Sequence, residues 1–482
     1  MMERWPTKHS GSEVKFHNWW GKEKRAELIA SLDKKAKYER LKPALPLGLP
    51  FVPLEVRVDY TKWPLLSELL NQSFPGVKTS RDPALVAFDR ASLEQRMKRY
   101  FNPKVSDDEL AAEAPCLVED TTQFNAKVTR EFLKDRGYRP EYIVRFHYRP
   151  LDVRWLYWEE QTRLVDRARG ESRPNMLAGW PALAAVQQNR KEFSPPIIVA
   201  TAASLHLIER GANYFPLYVR LAASTSSVVR ETPDMFAEGI GGDDGQPVAN
   251  LTPRARKYLA RLGAQPEDLF FHIAAILHAP AYRAENAGAL RQDWPRVPLP
   301  KDADTLRAGA ALGRQVAALL DPETDVRGVT STPIRKELQG LGELTAPKVP
   351  NPTNPKHSNY AIDLALAARW GRLEGGKVMP GPGDVRPGTR GDGFVDVQIN
   401  ATTRWKDVPA DVWAYTLGGY QVLKKWLSYR EAALLGRPLT ADEALDFTKH
   451  VRRIAALLAL QADLDRHYAS AASGFAEPHS SF

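Results

Sequence analysis

Residues 266–300, PEDLFFHIAAILHAPAYRAENAGALRQDWPRVPLP, decide how the rest of the chain is read. The first half predicts a helix. Pro266 suits the first helical position, and Glu267 and Asp268 favour the positive end of the helix dipole. Leu269, Phe270, Ile273, Ile276 and Leu277 recur at helical spacing, so one face is buried. Pro280 ends that helix and can begin a shorter one. WPRVPLP then brings three prolines, which favour an extended strip with few backbone donors. The unit is a scaffold with no evident catalytic group.

The totals set the frame. A chain of 482 residues predicts two or three domains, and 43% hydrophobic with 26% charged residues is the composition of a globular protein. The formal charge of +9 favours a polyanionic partner, nucleic acid before a membrane surface, although many basic proteins bind neither. Cys116 is the only cysteine, which excludes an intrachain disulfide and a multi-cysteine zinc site and suits a reducing cytoplasm. The first residues are charged and lack the apolar run of a secretion signal. Apolar patches such as 455–460 are too short to span a bilayer, so no membrane partner is expected.

Along the chain, residues 20–40 predict a charged helix with Ala26, Leu28, Ile29 and Leu32 as its thin apolar stripe. Four prolines in 41–56 predict a rigid connector or strand edge. Leu65–Leu70 suits a helical turn, Gly76 a turn, and Leu85–Phe88 a strand. Residues 91–140 are mostly helical, with Ser106 and Glu109 as a capping box and Gly137 as a stop. Tyr142–Tyr148 alternates and is aromatic, hence a strand. Residues 195–200 form a short buried strand, and the sheet continues after it. The Gly- and Asp-rich stretch 239–250 lacks the spacing of a phosphate or calcium loop. Residues 251–264 predict a basic helix with Thr252 as N-cap and Pro253 first, facing either phosphate or solvent. An amphipathic helix covers 306–321. In 321–410 short strands prevail, with a hairpin through Val395, Val397 and Ile399 that turns at Asn400. One last helix is expected over 441–468, then a disordered tail over 471–482.

Two stretches carry suggestive chemistry. Residues 145–158 combine Arg145, Arg149 and Arg154 with the aromatic residues Tyr148, Trp155, Tyr157 and Trp158. Arginines contact phosphates and base edges beside flat rings; the competing reading places the aromatics in the core. In 418–426, Gly418 and Gly419 permit close backbone approach before a helix whose first turns hold Tyr420, Gln421, Lys424 and Lys425. That is either an anion site or a glycine turn packed by Trp413 and Trp426. His272 and His278, six apart, do not share a helical face and read as structural.

Several segments resemble one family. PEDLFFHIAAILHAPAYR, GVKTSRD (76–82), YRPLDVRWLYW (148–158), NYFPLYV (213–219) and WAYTLGGYQVLKKWLSYR (413–430) are similar to the target-recognition region of single-chain Type ISP restriction–modification enzymes. Those enzymes join a nuclease, a helicase-like ATPase, an adenine-N6 methyltransferase and a DNA target-recognition domain. The resemblance implies double-stranded DNA as partner and adds Lys78, Thr79, Ser80 and Arg81 to the candidate DNA-binding residues. It also implies a methyltransferase, nuclease or helicase chain or domain as partner, with S-adenosylmethionine serving the methyltransferase and no cofactor held here.

The chain has no Asn-Pro-Pro-Tyr/Phe motif for a flipped adenine, no S-adenosylmethionine loop, no Walker A loop, no H-E-x-x-H pair and no G-x-S-x-G elbow. No catalytic or metal residue is therefore assigned. The expected fold is α+β: mixed, mostly antiparallel sheets with flanking helices and a C-terminal helical region. Residues 1–90 read as the edge of a methyltransferase domain with a connector, 91–330 as the first part of a recognition domain and 331–482 as its second. The function implied is sequence-specific DNA recognition that positions an adenine for N6 methylation. The alternatives are a protein-interaction subunit of a phage-defence complex, or a truncated inactive fragment.

Overall fold

A computed structural model of the chain describes residues 14–33, 37–42, 45–47, 52–54, 56–189, 192–209, 211–220, 246–351 and 354–475. The Pro266–His278 helix lies at the centre of a helical layer. Pro266 occupies its first position, and the Asp268 carboxylate accepts the Gln265 backbone N–H at 3.1 Å. Burial extends beyond the apolar stripe, because His272 and His278 are also enclosed. Each satisfies its ring on a carbonyl: His272 Nε2 lies 2.9 Å from the Pro298 oxygen and His278 Nε2 lies 2.8 Å from that of Pro196.

The proline-rich strip works as a row of acceptors. Prolines remove donors but keep carbonyls. The Pro295 oxygen takes the Leu66 N–H at 2.9 Å, that of Arg296 the Tyr282 hydroxyl at 2.8 Å, and that of Pro300 the Tyr258 hydroxyl at 2.8 Å. Val297 N–H in turn donates to the Pro64 oxygen at 2.9 Å. Residues 60–70 are thereby joined to the helical layer, with Trp63, Leu66, Leu69 and Leu70 buried.

Against the central helix lie Ala303–Leu320 and Gln461–Ser473. Gly309 and Gly313, one turn apart, make the close crossing possible. A Cβ on Gly313 would overlap the Phe271 carbonyl, and one on Gly309 the His467 and His272 rings.

Three four-stranded sheets complete the frame. The first runs Val86–Ala87, Asp152–Tyr157, Ile143–Arg149, Ala202–Ala203, antiparallel except for the last pair. The second runs Phe74–Pro75, Asn213–Pro216, Ala182–Ala185, Ile197–Val199, wholly antiparallel. The third runs Glu343–Thr345, Arg404–Pro409, Phe394–Gln398, Val385–Pro387, also antiparallel. The fold is α+β, as the patterning predicts. The capping box at Ser106 and Glu109 is present, Thr252 Oγ1 accepts the Ala255 N–H, and Gly137 ends its helix at φ +87°.

Other expectations need correction. The 20–40 helix is confined to Lys24–Ala30, and Glu39–Leu41 instead pairs with Val14–Phe16. The last helix divides at Leu460 into Ala441–Ala459 and Gln461–Ser473. The second helix extends into the expected tail: Ala471 and Ala472 are buried, and the Phe475 ring packs 6.3 Å from that of Trp63. Residues 239–245 of the Gly- and Asp-rich stretch lie outside the described residues, while Pro247–Ala249 pairs with Tyr218–Arg220.

Candidate nucleic-acid interface

Three separate stretches of sequence meet at one place. Strands Ile143–Arg149 and Asp152–Tyr157 are joined by Pro150 and Leu151, with Leu151 in the left-handed region at φ +55°. This tight turn brings Arg149 opposite Asp152. The helix Val422–Ser428 then supplies Lys425, and Tyr429 and Arg430 follow it. Tyr148 and Tyr429 meet edge to face, with ring centres 5.4 Å apart. From the third stretch, Asp82 Oδ2 accepts the Tyr148 hydroxyl at 2.6 Å.

Beneath the cluster lies a buried ionic triad. Asp152 Oδ2 takes two N–H groups of Arg154, at 2.6 and 3.1 Å, and its Oδ1 takes one from Arg430 at 3.0 Å. Burial alone would raise the Asp152 pKa, but the two guanidinium groups outweigh it and hold the carboxyl well below its usual range. Arg154 is also enclosed by the rings of Tyr148, Phe88 and Tyr429, at 3.9, 4.3 and 4.4 Å. Its role is internal: it holds the hairpin to the 422–430 segment.

Above the triad, Arg149 rests on the Tyr148 ring at 4.1 Å and donates to the Tyr148 carbonyl at 2.6 Å. The Tyr420 ring centre is 5.7 Å from this guanidinium and 5.9 Å from the Lys425 amine. Lys425 stands 4.5 Å from the Tyr429 ring and donates to the Val378 carbonyl at 3.2 Å, and burial lowers its pKa. Gln421 donates to the Trp413 carbonyl at 2.8 Å. Tyr420 and Gln421 do not lie in the first turns of a helix. They pair with Thr416 and Leu417 in a small hairpin that turns at Gly418 and Gly419, φ +64° and +85°. That turn packs on residues 207–209, with the Glu209 N–H donating to the Gly418 carbonyl at 2.7 Å. Lys424, half-buried on the same helix, makes no ion pair among the described residues.

The 78–81 segment borders a neighbouring cleft of about 420 Å³, with Arg163, Arg167 and Asp166 on its walls. Lys78 pairs with Asp166 at 2.7 Å, and Ser80 donates to the same carboxylate at 2.7 Å. Arg81 is buried: it stacks 3.4 Å from the Phe124 ring centre and donates to the carbonyls of Arg163 and Leu164. Thr79 is buried too and donates to Asp82. Arg145 stands apart, paired with Glu323 and lying 4.7 Å from the Trp155 ring. Tyr157 is completely enclosed, stacked with Tyr138 and beside Phe101.

Of the twelve candidates, the fold thus joins Arg149, Tyr420 and Lys425 at a surface, with Arg154 below, Gln421 and Lys424 beside them, and Lys78, Ser80 and Arg81 at the cleft. Asp152, Tyr429, Arg430 and Phe88 were not singled out from sequence, though the first three stand inside the two quoted motifs. The signal was complementary charge: one motif ends its turn in an aspartate, the other in an arginine. Among the described residues, no group of three or more His, Cys, Asp or Glu side chains is placed to hold a metal ion.

The arrangement is that of an α+β domain with a cationic, tyrosine-lined seam. The chain belongs to the Type ISP C-terminal specificity domain family, whose model matches residues 68–456. Several solved structures share the fold, three of them as follows. A nuclease-deletion mutant of the Type ISP restriction–modification enzyme LlaGI, in complex with a DNA substrate mimic, matches at 14% identity and TM-score 0.54, over 95% of this chain and 39% of that one. The DrdV–DNA complex matches at 19% identity and TM-score 0.53, over 92% and 41%. The ATP-dependent Type ISP enzyme LlaBIII bound to DNA matches at 13% identity and TM-score 0.56, over 92% and 26%. The chain therefore spans well under half the length of these structural relatives. No curated protein matches it.

Proposed function

We propose that the chain recognises a specific double-stranded DNA sequence as the target-recognition module of a Type ISP-like restriction–modification system. In this reading it positions a target adenine for N6 methylation by a methyltransferase domain carried elsewhere, and S-adenosylmethionine serves that domain. Residues 1–90 form the edge toward the methyltransferase, and recognition lies in 91–330 and 331–482. The observation that carries the reading is the convergence of the 76–82, 148–158 and 413–430 segments on one cationic, aromatic cluster. Family membership and the DNA complexes of the structural relatives support it. No helix among the described residues is long and apolar enough to cross a membrane, and the formal charge of +9 suits a polyanion.

The test is selection from a random duplex library by the purified chain at two salt concentrations, followed by sequencing of the bound fraction. An enriched motif is expected. Salt-sensitive binding without a motif would remove base reading from the proposal. No binding at either salt would overturn it in favour of an interaction protein.

A further inference from the structure

We propose that Arg149 and Lys425 form a clamp for one backbone phosphodiester of duplex DNA, with Tyr420 and Tyr429 as its walls; the proposal rests on the DNA-recognition reading above and adds the subsite.

Four cations stand within the cluster: Arg149, Arg154, Lys425 and Arg430. Asp82 and Asp152 face them, Glu443 acts on Arg430 from outside, and Glu209 stands beside Tyr420. Asp152 is committed to Arg154 and Arg430. Asp82 accepts the hydroxyls of Tyr148 and Thr79. Among the described residues neither Arg149 nor Lys425 has a carboxylate within ion-pair distance; their hydrogen bonds go to the neutral acceptors of Tyr148, Ser204, Val378 and Tyr429. An anion bound between them gains two ion pairs that no carboxylate of the described residues occupies.

Donor geometry fits the same ligand. A guanidinium carries five N–H donors and an ammonium three. Arg149 uses one terminal nitrogen on the Tyr148 carbonyl, at 2.6 Å, with Ser204 Oγ more distant at 3.5 Å, and its Nε is sealed from solvent, which leaves the other terminal nitrogen; Lys425 bonds Val378 and Tyr429. The remaining donors come from two different elements, a strand end and a helix. Both cations are braced by rings: Arg149 by Tyr148 and Lys425 by Tyr429. Such cations are oriented before a ligand arrives.

The position of Arg149 suits a phosphate and not a base edge. Reading a base edge in the major groove needs a side chain that projects from an exposed element into the groove. Arg149 is half-buried at the end of a strand whose turn packs on the 422–430 segment. It cannot project, but a convex DNA backbone can seat its non-bridging oxygens on it. The predicted contact is therefore independent of sequence and sets register.

The test measures binding of the full chain to a fluorescent duplex at a series of salt concentrations. Lys425→Gln and Arg149→Gln are each expected to weaken binding several-fold, equally for all duplex sequences, and to lower the slope of log Kd against log salt by about one. Arg149→Lys should restore most of that slope, because the charge is kept. A duplex with one neutral methylphosphonate at the clamped position should weaken the wild type but not Lys425→Gln. Should Arg149→Gln fail to fold, Lys425→Gln carries the test. Unchanged slopes in folded variants overturn the clamp alone. Absence of wild-type binding at every salt overturns the clamp and the recognition reading together.

Discussion

Arg430 donates to Asp152 at 3.0 Å across 278 residues of sequence, and Arg154 holds the other oxygen of the same carboxylate at 2.6 Å. One buried anion thus binds the strand hairpin to the C-terminal segment. Removing it leaves two enclosed guanidinium groups without a counter-charge. Asp152→Asn should cost roughly 3–5 kcal/mol, the range for breaking a buried pair by deleting one partner. Denaturant unfolding measures it. A loss below about 1 kcal/mol would mean that water already reaches the arginines.

The helix crossing at Gly313 gives an independent stability test. Glycine to alanine inside a helix ordinarily gains about 1 kcal/mol from propensity. Here the added methyl would meet the Phe271 carbonyl, a backbone atom that cannot move without its helix. Gly313→Ala should therefore destabilise despite that gain, by about 1–3 kcal/mol or more. Gly309→Ala, which meets the rings of His467 and the enclosed His272 and no backbone atom, should cost less, because side chains yield more readily than a carbonyl. Thermal unfolding of both variants ranks them.

Much of the fold was legible because it is written locally. Ser106 with Glu109, Thr252 with Pro253, and Asn400 at its hairpin turn act through side chains bonding the nearest backbone, so short spacing suffices. The site was legible only as a set of segments. Alternation along 143–157 says which side chains share a face, but not that another layer covers Tyr157 and Arg154. The counter-charge that makes Arg154 an internal residue is partly supplied by the 422–430 segment, beyond any local pattern. Two glycines at 418 and 419 suit a helix start and a hairpin turn equally; cross-strand pairing of Leu417 with Tyr420 decides between them. The break at Leu460 follows from packing, since the apolar spacing runs through it without interruption.

Acid should weaken the fold well before its carboxylates protonate. Burial lowers the pKa of His278 to about 4, of His147 to about 4, of His272 to about 3 and of His450 to about 3, from an ordinary 6.5. Above pH 6.5 these groups are neutral in both states and contribute nothing. Below it the unfolded chain binds protons that the native one refuses, so stability falls until pH reaches the folded values. Each group costs about 1.4 kcal/mol per pH unit in that window. Unfolding midpoints should drop between pH 6.5 and 5. His278→Gln, whose amide can still donate to Pro196, should flatten the drop; an unaltered profile would count against His278 as a contributor.

Tyr157 and Lys424 should separate stability from binding. Tyr157 is sealed among Phe101, Tyr138 and Tyr142, and its hydroxyl receives only a long 3.4 Å contact from the Arg139 N–H. Tyr157→Phe removes one weak bond and should cost about 1 kcal/mol or less. Its duplex Kd and salt slope should match the wild type, since no DNA can reach the ring. Lys424 makes no ion pair among the described residues, so Lys424→Gln should leave the unfolding midpoint nearly unchanged. Its half-exposed amine lies on the same helix as Lys425, and losing it should weaken duplex binding with a smaller fall in salt slope than Lys425→Gln causes. Fluorescence anisotropy and thermal unfolding on the same two preparations measure both. A Tyr157→Phe protein with altered DNA affinity and an unaltered midpoint would show that the ring leaves the core when DNA binds.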